Sequence, residues 1–290
     1  MELRQLRYAE AVARHRHFTR AAEELHVAQS ALSHQIRRLE AELGAELFRR
    51  TSRRVEPTEA GDALAVRARR ILAEVDGVRG DIDELEGLVR GHLWIGALLP
   101  AGELDVPALL ARFREAYPEI EVSLREGTAG DMLGYLANGE VDAAFSLVAT
   151  ELPDHLAAER LGNEELVAAF PPGAAPRGEG VAASELARHV LVTPRSGSAI
   201  KRGTDEFFAR AGRRLQVSLE SGDPFLLRCL VSSGFGAAVL PRSLTEREGP
   251  PIEVRTLRPA VRLAVALLWD RDRSLSPAGR AFIDFVRRSA

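Results

Sequence analysis

The chain has 290 residues, 46% of them apolar, and its 39 basic side chains against 42 acidic ones leave a formal net charge of −3. That length exceeds one ordinary core and suggests two or three domains, while no run approaches the roughly 18 apolar residues of a membrane span. The N-terminus lacks the apolar segment of a signal peptide and the single cysteine, Cys229, excludes an intramolecular disulfide, so a cytoplasmic protein is expected.

Glu2 to Arg14 reads as a helix with Leu3, Leu6, Ala9 and Val12 inward. Thr19 is a good N-cap for a short helix whose apolar face is Ala21, Ala22 and Leu25. His26-Val27-Ala28 breaks that pattern. A second helix starts at Gln29 or Ser30 and runs to Leu43, burying Leu32, Ile36, Leu39 and Leu43, until Gly44 stops it. Two short helices joined by a tight turn, the second polar on its outer face, match a helix-turn-helix. That outer face carries Gln29, Ser30, Ser33, His34 and Arg37, and its N-terminal end would enter the major groove.

From Leu47 to Val55 apolar anchors flank a basic tip, the pattern of a small β-wing. Between Gln29 and Arg54 six arginines face three glutamates, a local charge of +3 inside an acidic chain. Thr19, Gln29, Ser30, Ser33, His34, Arg37, Arg50, Arg53 and Arg54 are the candidate DNA-binding residues. Only Lys201 among the basic residues is lysine, a bias that is global and carries no functional weight.

Thr58 then caps a long helix. Leu64, Ala68, Ile71, Val75, Val78, Ile82, Leu85 and Val89 alternate spacings of four and three, a coiled-coil seam. A lone helix would leave that stripe wet, so a homodimer is expected, with two heads on two half-sites of an inverted repeat. Leu64, Ile71, Val75, Val78, Ile82 and Leu85 are the candidate dimerisation residues.

Gly91-His92 marks a boundary beyond which strands and helices alternate. Leu93 to Ala97, Glu119 to Leu124 and Val141 to Val148 read as strands, with helices over Val106 to Tyr117 and Asp131 to Asn138, an order that predicts a parallel sheet. A second unit begins near Asn163. It has strands over Val190 to Thr193, Val217 to Leu219 and Ala238 to Leu240, and helices over Ser198 to Ala211 and from Asp223-Pro224 to about Ser233. Leu263 to Trp269 and Pro277 to Arg288 read as a last strand and helix.

The N-terminal motifs resemble those of LysR-type transcriptional regulators. The resemblance rests on Leu3-Arg4-Gln5-Leu6, Phe18-Thr19-Arg20-Ala21-Ala22, Gln29-Ser30-Ala31-Leu32-Ser33 with Gln35-Ile36, Leu47-Phe48, Arg50, Arg53 and Thr58-Glu59-Ala60-Gly61. It implies a winged helix-turn-helix domain over 1–57, a linker and dimerisation helix over 58–90, and an effector-binding α/β domain over 91–290. It also implies that the tail returns to the first subdomain, giving subdomain I over 91–162 and 265–290 and subdomain II over 163–264, as in periplasmic solute-binding proteins. The implied partners are an operator DNA duplex, a small-molecule effector, a second copy or three further copies of the chain, and RNA polymerase, with no cofactor, no membrane and no enzymatic activity. An effector preferring one cleft geometry would alter the spacing of the heads and the bend of the DNA.

In open α/β sheets ligands settle beyond the carboxyl ends of strands, where helix N-termini present free N–H groups. That rule selects Leu99, Pro100 and Ala101 after the first strand and Gly127 and Thr128 after the second. In the second unit it selects Arg195, Ser196, Gly197, Ser198, Asp223 and Phe225. Family members frequently carry serine or threonine after the first strand, and this chain does not. Either the effector is more apolar than a simple carboxylate, or Thr128, Ser196, Ser198 and Arg195 hold its polar end. In the head, Ser30 stands where proline is common and His34 where arginine is common, so the half-site preference is this chain's own.

Other chemistries fit less of the chain. Ser198-Ala-Ile-Lys201 spells an S-x-x-K motif without its K-T-G partner, and Gly234-Phe-Gly236 is an incomplete dinucleotide fingerprint placed before a strand. His15 and His17 lie two apart without a carboxylate or cysteine partner, and the remaining histidines show no metal spacing. A solute carrier would explain only the last 200 residues, and an enzyme would need a nucleophile or metal constellation that the sequence lacks. Specific duplex binding separates a regulator from both.

Overall fold

The computed structural model describes residues 1–50, 55–85, 90–98, 102, 104–149 and 151–289. They form two compact units, one chiefly Met1–Gly91 and the other chiefly His92–Leu136, Val141–Arg273 and Gly279–Ala290. Among the described residues no helix is long and apolar enough to cross a membrane.

The first unit holds α1 (Leu3–His15), α2 (Phe18–Glu24), α3 (Gln29–Leu43), β1 (Phe48–Arg50), β2 (Val55–Pro57) and α4 (Glu59–Leu85). Helix α1 opens on a capping box in which the Glu2 N–H donates to Gln5 Oε1 at 2.8 Å. Leu6, Ala9 and Val12 are buried, but Leu3, at the first helical position, overhangs the core and is 44% exposed. The cap of α2 is His17 rather than Thr19. His17 has extended backbone, and its Nδ1 accepts the N–H groups of Thr19 and Arg20 at 3.2 and 3.4 Å, so Thr19 lies inside the first turn. His26 takes the left-handed conformation, φ +53, in the turn to α3.

Gly44, at φ +67, ends α3 as its sequence position predicts. Leu32, Ile36 and Leu39 are fully buried against Val12, Phe18 and Phe48, the two phenylalanine rings meeting edge to face at 6.0 Å. Leu43, one turn beyond the reach of that core, is 44% exposed. Helix α1 is fastened to α2 by charge. Arg14 donates to Glu24 at 2.6 and 2.9 Å and to Glu10 at 3.2 Å.

The wing is an antiparallel pair in which Phe48 faces Pro57 and Arg50 faces Val55. Beyond it, Thr58 caps α4. Its hydroxyl accepts the Gly61 N–H at 3.0 Å and donates to the Glu46 carbonyl at 2.6 Å, and its own N–H donates to Leu47 O at 2.9 Å. Ala65 and Ala68 are buried, and α4 packs along α1.

The second unit contains β3 (Gly91–Ala97), α5 (Val106–Ala116), β4 (Ile120–Glu126), α6 (Ala129–Asn138), β5 (Ala143–Val148), β6 (Leu156–Phe170), β7 (Gly180–Ala182), α7 (Ala183–Leu186) and β8 (Leu191–Pro194). It continues with α8 (Ala199–Arg210), β9 (Val217–Ser221), α9 (Pro224–Ser232), β10 (Ala238–Pro241), α10 (Arg242–Thr245), β11 (Glu253–Asp270) and α11 (Pro277–Ser289). The main sheet has the order β10-β6-β11-β5-β3-β4, with β7 also on β11, and β8 and β9 form a separate pair.

This sheet is mixed rather than parallel. β3 and β5 run parallel, as do β8 and β9, but β11 lies antiparallel to both β5 and β6. The two long strands are the reason: β6 has 15 residues and β11 has 18, and each runs through positions that the sequence pattern assigns to loops. Their ladder shifts register between Val265 and Ala266, opposite Gly162 and Arg160, a bulge that leaves Leu161 of β6 unpaired in the ladder. On one flank α11 closes the core with Phe282, whose ring meets Phe113 edge to face at 4.9 Å. On the other, Val192, Leu227, Val231 and Leu240 form a second cluster beneath α9.

Candidate nucleic-acid interface and effector cleft

Helix α3 presents Ser30, His34 and Arg37 to solvent on the side away from Leu32, Ile36 and Leu39, and Gln29 is exposed at its first position. Ser33 departs from the expected outer face. It is 6% exposed, because one residue past Leu32 the helix still turns its flank toward the core. The Ala28 cap brings no side-chain acceptor, so the first N–H groups of α3 are left for an outside acceptor such as a phosphate.

Glu40 joins the wing to this helix. Its Oε1 accepts the N–H groups of Leu47 and Phe48 at 3.0 and 3.3 Å, fixing where β1 leaves the core. Nothing in the periodicity of α3 marks Glu40 for that task. Thr19 is exposed on α2. Arg50 lies on β1 and its side chain, with Arg53 and Arg54, falls outside the described residues. The Arg14 guanidinium, then burial, and then the His15 contact act on Glu24, and the net effect lowers its pKa to about 2.

Along α4 the apolar stripe divides. Leu64 packs on the head's own core, one turn from the buried Ala68. Ile71, Val78 and Ile82 are 38%, 61% and 55% exposed, and Val75 is half-buried. The Leu85 side chain lies outside the described residues.

In the second unit the selected turns fall at strand ends. Gly127 donates its N–H to Ala97 O at 3.3 Å, and a Cβ there would meet Asp131 Cβ at 2.8 Å and Met132 Cε at 2.9 Å, so only glycine fits. Thr128 and Asp131 form a capping box. The Thr128 N–H and hydroxyl both donate to Asp131 Oδ2 at 2.8 Å, and the hydroxyl accepts the Asp131 N–H at 3.2 Å. The T-x-x-D spacing carries that signal, and it engages the Thr128 hydroxyl in both directions.

Across from it, Gly197 takes φ +90 and Ser198 caps α8, accepting the Ile200 N–H at 3.2 Å. A Cβ on Gly130 would stand 3.6 Å from Gly197 O and 3.7 Å from Thr128 Oγ1, so the turns at 127–130 and 195–198 come together. The Arg195 N–H donates to Ser221 O at 3.0 Å, and its side chain lies over Gly222, within 3.9 Å of where a Cβ would be. Asp223 caps α9, accepting the Phe225 N–H at 2.8 Å, as the Asp-Pro pair predicts. Phe225 is 45% exposed, with its ring edge against Gly249. Arg195, Ser196 and Gly197 are exposed. Leu99, Pro100 and Ala101 lie outside the described residues.

One polar group was not singled out by the sequence pattern. Thr193, at the end of β8, is 2% exposed, and among the described residues its Oγ1 has no hydrogen-bond partner. In sequence it is one more β-branched residue of an apolar strand.

Comparison with known proteins agrees with this geometry. A model of the bacterial regulatory helix-turn-helix proteins of the lysR family matches residues 3–62, and a model of the LysR substrate binding domain matches residues 86–290. The chain is 38% identical over 163 residues to the HTH-type transcriptional regulator IlvY of Escherichia coli, a match that covers 56% of this chain and 55% of that protein. It is 38% identical over 151 residues to a hydrogen peroxide-inducible genes activator of Dickeya chrysanthemi, covering 52% and 50%. The chain thus spans about half the length of the curated relatives it matches. Among solved structures, a full-length OxyR variant from Pseudomonas aeruginosa superposes with a TM-score of 0.76 at 25% identity, over 99% of this chain and 95% of that one. Full-length CbnR in complex with its target DNA superposes with a TM-score of 0.70 at 26% identity, over 100% of both chains. Both domain models and the full-length superpositions point one way: the chain belongs to the LysR family of bacterial regulatory helix-turn-helix proteins.

Proposed function

We propose that the chain is a sequence-specific DNA-binding transcriptional regulator whose α/β domain senses a small molecule. The observation that carries this reading is the outer face of α3. Gln29 at the exposed start of the helix and Ser30, His34 and Arg37 on its outer face are open to base edges and phosphates, while the stripe of Leu32, Ile36 and Leu39 is locked in the core and Glu40 fixes the wing beside it. Asparagine- and glutamine-type amides read adenine, and arginine reads guanine or phosphate. CbnR, similar over its whole length, is seen on its target DNA.

In this reading residues 1–57 bind DNA, 58–90 pair two copies through Ile71, Val75, Val78 and Ile82, and 91–290 take the effector. The subdomain boundaries, 162/163 and 264/265, fall between the same two rungs of the β6–β11 ladder, Asn163–Ala264 and Gly162–Val265, next to its bulge, which supports a hinge there. The effector would lie against Thr128, Arg195, Ser196, Gly197 and Ser198. Because Thr128 is committed to Asp131, the exposed Arg195 guanidinium and the Ser196 hydroxyl are the groups left to hold an anionic end. Two or four copies on DNA, a contact with RNA polymerase and a cytoplasmic site of action follow from the same role. No catalytic step is assigned to the chain.

Footprinting on the DNA upstream of its own gene tests this. A protected interrupted inverted repeat is expected, and absence of protection on any genomic fragment by folded protein at moderate salt would remove the DNA-reading role.

A further inference from the structure

Helix α2 begins on a titratable side chain. The His17 backbone is extended, φ −159, and its Nδ1 accepts the N–H groups of Thr19 at 3.2 Å and Arg20 at 3.4 Å. An imidazole nitrogen accepts only while it carries no proton, so the neutral ring in this arrangement holds its one hydrogen on Nε2. A protonated ring donates from both nitrogens and accepts at neither. The two N–H groups then lose their acceptor and meet a cation at the positive end of the helix dipole.

Little in α2 offsets that loss. The helix spans seven residues, and among the described residues no other side chain caps its start. It supplies Phe18, Ala21 and Ala22 to the core that seats Leu32 and Ile36 of α3, so loosening α2 loosens the seat of the exposed reading face.

The charges around the cap are accounted for. At the end of α1, Arg14 and His15 are both engaged by Glu24 of α2, and Glu10 is engaged by Arg14. Arg16, Arg20 and Glu23 are exposed and make no ion pair among the described residues. Helix α3, which packs on α2, carries His34, Arg37 and Arg38 at exposed positions, while its Glu40 holds the wing and its Glu42 the N-terminal ammonium. None of these carboxylates bonds the His17 ring.

We propose that His17 is a proton-sensitive cap, closed while its ring is neutral and open once it is protonated, through which mild acid loosens the DNA-binding head. The stabilisation is present above the titration range of histidine and is lost as the pH falls through it. Protonation of His15 would tighten its hold on Glu24, and protonation of His34 would add positive charge to the outer face of α3. Both act in the opposite direction, so His17 is isolated by comparison with His17→Ser, which keeps both of them and caps with an oxygen that does not titrate.

Hydrogen exchange over residues 17–25 of the full chain, without DNA, reads the cap directly in wild type and His17→Ser at about pH 8 and about pH 5.5. After correction for the intrinsic rates of the two sequences, the ratio of wild-type to variant exchange should rise about fivefold from the upper to the lower pH, the weight of one helix cap. Nitrogen NMR of labelled histidine should find the neutral His17 ring protonated on Nε2. An unchanged exchange ratio, or a neutral ring protonated on Nδ1, would overturn the proposal. The effect on operator binding rests on the proposed function: wild-type affinity relative to His17→Ser should fall with pH by a similar factor. A constant affinity ratio beside a changing exchange ratio would overturn the link from cap to DNA binding, whereas failure of both proteins to bind DNA, with the exchange result as expected, would remove the proposed function and uphold the cap.

Discussion

Gly61 lies so close to Leu47 that a Cβ on it would stand 2.0 Å from the Leu47 carbonyl oxygen. That contact is where the start of α4 crosses the root of the wing, beside the Thr58 N–H that donates to the same oxygen. Gly61→Ala must push the two segments apart and should lower the stability of the head by about 2 kcal/mol, in the range of overpacked cores. Chemical denaturation followed by a probe in the head checks this, and an unchanged midpoint would mean that the approach is looser than the structure has it.

Acid should loosen the head through Glu24. Its pKa is depressed from 4.5 to about 2, first by the Arg14 hydrogen bonds, so the folded state favours the carboxylate. The contribution is fully present above pH 4.5 and is lost as the pH falls toward 2. Glu24→Gln should therefore be less stable than the parent at neutral pH, and the gap should close as both are titrated from pH 5 to pH 2. A gap that stays constant over that range would assign the effect to packing instead of charge.

The exposed stripe on α4 calls for a partner. Val78 and Ile82 are 61% and 55% exposed on one helix, and burying them between two copies is favourable by roughly 1 kcal/mol or more for each side chain. Val78→Asp with Ile82→Asp should shift sedimentation toward the monomer and weaken binding to a two-site operator while leaving the head folded. Leu64→Ala should instead destabilise the head, because Leu64 packs on the head's core.

The parts that were legible in the sequence are those set by neighbouring residues. Gly44 ends α3, Thr58 and Asp223 cap their helices, and Leu32, Ile36 and Leu39 mark the buried face, because each of these depends on chain within one or two turns. Three misplacements are also local. Thr19 gives way to His17 as cap, Leu43 runs past the end of the core, and Ser33 sits on a flank that a helical wheel alone cannot assign. The antiparallel pairing of β6 with β11 joins positions about a hundred residues apart, and the adjacent polar pairs Glu159-Arg160 and Glu164-Glu165 break the alternation of β6. No local periodicity reports such a partner. The candidate cleft shows the same division. The turns were readable from their glycines and caps, and the T-x-x-D spacing carries the Thr128–Asp131 box, whereas the Thr193 hydroxyl, without a hydrogen-bond partner among the described residues, depends on how side chains meet.

The central claim, that the outer face of α3 reads DNA, is tested most directly by titrating Gln29→Ala and Arg37→Ala on operator and random duplexes across salt. Gln29→Ala should lose discrimination between the two, by about 1–3 kcal/mol for a bidentate base contact. Arg37→Ala should weaken both alike and flatten the salt dependence by about one unit of slope, as expected for one phosphate contact. Wild-type affinity, discrimination and salt slope in both variants would contradict the placement of α3 in the groove.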